Sequence, residues 1–102
     1  MKYGSDIPAW LWKQMVGKEP VAEYKFHQFR RWRFDYAFVE NKLSIEIEGG
    51  LWSGGRHITA PGYLRDMEKY NAATELGWRV LRYQPGVVDW EQIKRCLSSS
   101  PA

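Results

Sequence analysis

The stretch "WRFDYAFVENKLSIEIEGG", residues 32–50, decides the fold. It contains two runs of period two, 32–39 and 43–48, which read as strands separated by a turn. In the first run Trp32, Phe34, Tyr36 and Phe38 read onto one face, and Arg33, Asp35 and Ala37 onto the other. In the second, Leu43, Ile45 and Ile47 oppose Ser44, Glu46 and Glu48. A two-residue turn at Glu40-Asn41 pairs Val39 with Lys42, so every facing pair of residue numbers adds to 81. Asp35 then lies across from Glu46, and Arg33 across from Glu48. Facing side chains in an antiparallel pair have Cβ atoms roughly 4.5–5.5 Å apart, where like charges repel. Ionised carboxylates are also costly to bury without a partner. A divalent cation between Asp35 and Glu46 would turn the repulsion into coordination. The plainer alternative is an exposed acidic face balanced by Arg33 and its neighbours.

Upstream, "VAEYKF" (21–26) reads as another strand. A loop over His27 to Arg31 sets Phe26 opposite Trp32 and Glu23 opposite Asp35, adding a third carboxylate to the cluster. Mg2+ suits such a site, with Mn2+ as a substitute, because the close ligands are all oxygens and the single Cys, Cys96, lies far along the chain. The connecting segment "KFHQFRRWR" (25–33) holds Lys25, Arg30, Arg31 and Arg33 without an acid. Four cations interleaved with Phe26, Phe29 and Trp32 suit a phosphate backbone with stacking side chains nearby. A solvated basic loop is the alternative.

Downstream, "GGLWSGGRH" (49–57) sets Trp52, Arg56 and His57 among glycines, whose bare backbone permits close approach of a ligand. His57 is a candidate general base or phosphate-polarising group. Residues 62–77, "GYLRDMEKYNAATELG", read as a helix stopped by Gly77, with Tyr63, Met67, Tyr70 and Thr74 as its greasier face. Asp66 and Lys69 are three apart on it and therefore adjacent. Lys69 is a candidate for holding the phosphate or the attacking water, and Arg65 for contacting DNA. "WRVLRY" (78–83) reads as a fourth strand. A short helix over 8–16 opens the chain behind Pro8, and one over 89–97 closes it, with Asp89 as N-cap and Gln92 three residues later. The pattern is α/β, with a mixed four-stranded sheet, a β-meander then helix-strand-helix, flanked by helices.

With 102 residues the chain reads as one domain over 1–97, with a disordered tail at 98–102. An apolar content of 44% marks a globular protein, and no run approaches the roughly 20 apolar residues of a membrane span. No secretory signal opens the chain, and a lone Cys96 excludes an intrachain disulfide, so a reducing, cytoplasmic compartment fits.

"WRFDYAF", "KLSIEIEGG", "RH" and "RDMEKYNAATELGWRVLRY" together resemble the PD-(D/E)XK nuclease superfamily, and most of all its very-short-patch-repair-endonuclease-like branch and small phage-encoded relatives. The resemblance spans roughly residues 21–83. It implies a restriction-endonuclease-like core and Mg2+-dependent hydrolysis of DNA phosphodiesters, in a bacterial or phage-infected cell. By this resemblance Asp35 is the central metal ligand and Glu46 the acid of the second motif. "GLW" (50–52) is similar to the branch's aromatic turn that enters DNA, and His57 and Asp66 match its later His and helical Asp. The superfamily's second motif usually reads Glu-x-Lys, whereas here Glu48 holds the Lys position, leaving Lys69 or His57 to supply the cation. The Cys and His ligands of the branch's structural zinc are absent.

These readings lead to a metal-dependent DNA endonuclease, acting on branched, mismatched or otherwise distorted DNA. A nuclease-fold DNA-binding module with decayed catalysis is the second reading, and a protein-interaction partner the third. A homodimer is the expected form if both strands are cut, whereas nicking needs one copy.

Overall fold

The hairpin arithmetic holds in three dimensions. The computed structural model describes residues 6–49 and 60–99. Helix α1 (Ala9–Val16) leads into strands β1 (Val21–Lys25), β2 (Arg33–Phe38) and β3 (Leu43–Ile47). Helix α2 (Ala60–Glu75), strand β4 (Arg79–Tyr83) and helix α3 (Trp90–Ser98) follow. The strands form one sheet in the order β1-β2-β3-β4. β1, β2 and β3 are antiparallel neighbours, and β4 lies parallel to β3. A parallel neighbour needs a crossover, which α2 supplies. The chain is therefore α/β, with a mixed four-stranded sheet flanked by helices.

Two cores sandwich the sheet. On one face Ile7, Leu11, Trp12 and Ile93, from the two terminal helices and their approach, cover Tyr36, Phe38, Leu43, Ile45 and Ile47. Trp12 is the keystone, with ring centroids 5.0 Å from Tyr36, 5.6 Å from Phe38 and 5.1 Å from Trp90. On the other face Ala73 of α2 packs with Phe34, Ala37 and Trp78, joined by Tyr24, Phe26 and Val80.

β2–β3 pairing runs Phe38↔Leu43, Ala37↔Ser44 and Tyr36↔Ile45, the register expected from the sequence. The turn spans four residues, and Lys42 closes it at φ 51. β1–β2 pairing likewise sets Tyr24 against Phe34 and Ala22 against Tyr36, which brackets Glu23 and Asp35 as facing residues.

The expected face assignment of β2 requires correction. Phe34 belongs with Ala37 in the α2-side core, whereas Tyr36 and Phe38 belong to the opposite one. Strict alternation would put 34, 36 and 38 together. The phase inverts at Asp35, and β1 carries a matching break at Glu23, whose φ of 53 is left-handed. The pairs on either side of the break keep one register, so the two strands change phase together.

Helix boundaries also move. α2 begins at Ala60 rather than 62, and turns Lys69, Tyr70 and Ala73 inward while leaving Met67 and Thr74 exposed. It ends as expected at Gly77: the Gly77 N–H donates to Thr74 O and the Trp78 N–H to Ala73 O, with Gly77 at φ 85. At α3, Asp89 accepts from the Gln92 N–H at 3.0 Å, while the Gln92 side chain accepts from the Tyr83 hydroxyl at 2.7 Å and pins the helix to β4. Ser98 closes α3, one residue later than expected, and the Ser99 N–H donates to Cys96 O. Among the described residues no helix is long and apolar enough to cross a membrane.

Candidate active site

Where β2 and β3 part company, two carboxylates take over from the main chain. Glu46 is 3% exposed, on the α2 side of a strand whose Ile45 and Ile47 fill the other core. Its Oε2 accepts from the Asp35 N–H at 2.7 Å, and Asp35 Oδ2 accepts from the Ile47 N–H at 2.8 Å. The last regular pair is Tyr36↔Ile45, so the side chains substitute for main-chain partners at the next position. This clasp holds both acids at one end of the sheet.

α2 supplies the compensating charge. Lys69 Nζ donates to Glu46 Oε1 at 2.8 Å, and the Tyr70 hydroxyl donates to the same oxygen at 3.0 Å. The ammonium also lies 5.8 Å from the Phe34 ring centroid and 5.1 Å from that of Tyr70. Burial raises the Glu46 carboxyl above its ordinary value, and the Lys69 hydrogen bond and charge offset that only in part. Burial, reinforced by the Glu46 charge, raises the Tyr70 phenol and keeps it a donor.

Glu48 is built differently from the expectation that Arg33 faces it. Its carboxylate is held by Arg82 of β4 through both Nε and Nη2, the latter at 2.9 Å. The Arg82 guanidinium also sits 4.6 Å from the Tyr70 ring centroid. Its pKa is raised chiefly by the Glu48 hydrogen bond. The parallel β3–β4 pairing, which sets Glu46 beside Arg82, brings this arginine within reach of Glu48. Arg33 instead pairs across β1–β2 with Lys25.

The other candidate residues separate into groups. Glu23 is exposed on the edge strand, and among the described residues no three His, Cys, Asp or Glu side chains gather as a metal-holding group. The expected triad of Asp35, Glu46 and Glu23 is therefore an Asp35–Glu46 pair with Glu23 outside it. Lys25, Arg30, Arg31 and Arg33 are exposed around the β1–β2 connection, with Arg30 stacked 4.1 Å from the Trp32 centroid and bound to Glu68 at 3.5 Å. Arg65 and Asp66 lie on the exposed side of α2, where Asp66 adds to the field on Arg82. Trp52, Arg56 and His57 fall outside the described residues.

Sequence reasoning missed Tyr70 and Arg82. Tyr70 falls among the greasier positions of the helical pattern, although it directly follows Lys69. Arg82 left a signal, a cation in a strand that lands beside the β3 acids once β4 is taken as parallel to β3. An all-oxygen pair of carboxylates fits Mg2+, which commonly takes one or two protein carboxylates and completes its shell with water and phosphate. Compared with known proteins, the chain matches no family model, no curated protein and no solved structure.

Proposed function

We propose that this protein is a Mg2+-dependent endonuclease that hydrolyses DNA phosphodiester bonds, with a site built on Asp35, Glu46 and Lys69. The observation that carries the reading is the convergence of three donors from two elements on Glu46: the Asp35 backbone from β2, and Lys69 and Tyr70 from α2. A buried acid held this way can bind a cation without having to be ordered first.

In this reading Asp35 and Glu46 supply oxygen ligands to Mg2+, or to Mn2+ in its place. The bound ion supplies Lewis acidity toward the scissile phosphate and its water. Lys69 presents its ammonium to a non-bridging phosphate oxygen or to the attacking water, the task that the superfamily's second-motif Lys would otherwise perform. Tyr70 fixes the rotamer of Glu46. Arg82 neutralises Glu48, so a third acid beside the site does not repel the DNA. Hydrolysis forms a water-oxygen-to-phosphorus bond and breaks one phosphorus–oxygen ester bond, the water proton passing to solvent or to the leaving oxygen. Lys25, Arg30, Arg31 and Arg33 form the phosphate-binding surface.

The tie between Glu48 and Arg82 also favours the second reading, a DNA-binding module on a nuclease fold without turnover. Cleavage of supercoiled plasmid and of a branched duplex, with Mg2+, Mn2+ or EDTA, separates the two. Metal-dependent cutting lost in Asp35→Asn supports the endonuclease. DNA binding without cutting under any metal supports the second reading, and absence of both sinks the two together. Size measurement with and without DNA decides whether a homodimer forms.

A further inference from the structure

Between β1 and β2 the chain turns through residues 26–32, a segment with Arg30, Arg31 and no acid, flanked by the facing cations Lys25 and Arg33. Facing like charges are unfavourable unless something anionic joins them.

The turn is stiffly built. Phe34, fully buried, stacks on Phe26 with centroids 4.0 Å apart and planes at 6°. Trp32 continues the stack from Phe26 at 6.2 Å and 15°, and the Arg30 guanidinium caps Trp32 at 4.1 Å. His27 stands edge-on to Trp32 at 5.1 Å. Its Nδ1 accepts from the N–H groups of Phe29 and Arg30 at 3.1 and 3.0 Å, which closes the turn. Phe29 is left outside the stack, 81% exposed, with its ring centroid 6.4 Å from that of His27.

A large apolar ring held out into water by a closed turn, with Arg30 and Arg31 directly after it, suits one ligand chemistry. A nucleobase offers a flat face to the ring while its phosphates meet Arg30 and Arg31. Bases inside a duplex are already stacked on their neighbours, so an unpaired base or a strand junction offers the free face.

We propose that Phe29 is a stacking wedge for an unpaired base, which makes the protein selective for DNA containing a single-stranded segment or junction. The inference rests on the DNA-directed reading above, though not on cleavage. Its location supports it. Arg30 binds Glu68, the neighbour of Lys69 on α2, and Lys69 lies over Phe34 at the base of the ring stack. The turn that carries Phe29 is thereby tied to the helix whose Lys69 holds Glu46.

The test is fluorescence anisotropy in EDTA with a labelled single strand, its full duplex and a forked duplex, for wild type, Phe29→Ala and Phe29→Trp. A second arm places 2-aminopurine in an unpaired arm of the fork. Phe29→Ala is expected to lose about tenfold in affinity for single-stranded and forked DNA while leaving duplex binding within about twofold. Phe29→Trp restores binding, and wild type quenches 2-aminopurine where Phe29→Ala does not. Equal losses on all three DNAs, or none on any, overturn the wedge. Metal-dependent plasmid cutting with no Phe29 effect overturns the wedge and leaves the nuclease standing. A wild-type chain that binds no DNA removes both. Circular dichroism of Phe29→Ala checks folding, which the exposed ring leaves intact.

Discussion

Asp35 and Glu46 exchange backbone partners across the parting of β2 and β3: Glu46 Oε2 takes the Asp35 N–H, and Asp35 Oδ2 takes the N–H of Ile47, the residue after Glu46. Each carboxylate is thereby fixed by the strand that carries the other. Two acids that would repel as neighbours are held in place by donors rather than by distance. Asp35→Asn keeps an oxygen to accept from the Ile47 N–H, and Glu46→Gln keeps one for the Asp35 N–H. Both variants should fold. Under the endonuclease reading each loses an anionic ligand, and Mg2+-dependent plasmid cleavage should fall about a hundredfold or more. Wild-type cleavage rates in either variant would dismiss the acid pair as the metal site.

The Lys69–Glu46 contact makes a different prediction, about stability. The two side chains are 16% and 4% exposed, so neither is well solvated when its partner goes. Glu46→Ala strands the Lys69 ammonium, the Tyr70 hydroxyl and the Asp35 N–H together, and should cost about 3 kcal/mol. Lys69→Met should cost less, about 1–2 kcal/mol, because Glu46 can take up a proton instead. The double variant Lys69→Met/Glu46→Gln should recover part of that loss. Urea unfolding of wild type, Lys69→Met, Glu46→Gln and the double variant closes the cycle and measures the coupling, and additive losses would mean that the pair is not a unit.

Glu46 also sets a pH dependence whose sign is opposite to that of an ordinary salt-bridged acid. Burial lifts its pKa above the reference 4.5, and Lys69 offsets this only in part. The folded protein keeps a proton on Glu46 at pH values where the unfolded chain has released it. Stability from this group is fully present below 4.5 and is lost as pH rises through the folded-state value. Glu46→Gln cannot titrate, so the wild-type advantage in Tm, measured in EDTA, should shrink as pH climbs above 4.5. An advantage that grows over the same range would show that Lys69 outweighs burial.

Register was legible because it depends on counting. The turn at 39–42 and the loop at 26–32 fix which residues face each other, and both pairings came out as counted. Which side each residue presents depends on unbroken alternation, and that fails at Asp35. The acid pair was legible as a juxtaposition, but Lys69 was one of two candidate cations for it, and Arg82 none. Neither choice has a local signature. Lys69 turns inward because Glu46 is buried beneath α2, and Arg82 meets Glu48 because β4 runs parallel to β3. Both are consequences of the crossover, not of any short motif.

Glu23 offers a test of the irregularity itself. A non-glycine residue at φ 53 pays a steric cost of about 1 kcal/mol that glycine avoids. The side chain is exposed, so little packing is lost with it. Glycine's larger entropy loss on folding offsets part of that, so Glu23→Gly should raise stability by up to about 1 kcal/mol, seen as a higher urea midpoint at unchanged slope. A drop in stability would mean that the Glu23 carboxylate makes a contact worth more than the strain. Should cleavage fall while stability rises, Glu23 would join the site once DNA and metal are present.

The Glu48–Arg82 pair bears on the endonuclease reading, which expects a cation where Glu48 stands. Its side chains are 31% and 49% exposed, so the pair contributes less than about 1 kcal/mol and Glu48→Gln should barely move the unfolding midpoint. Under the endonuclease reading its effect on DNA binding should be larger. Arg82→Gln leaves Glu48 as an unpaired anion next to the acid pair, which should weaken DNA binding, while Arg82→Gln/Glu48→Gln removes both charges and should restore it. Such a rescue assigns Arg82 the task of masking Glu48. If the double variant binds no better than Arg82→Gln alone, the guanidinium must meet DNA directly, and the salt dependence of binding in Arg82→Gln should then fall by about one unit of log–log slope.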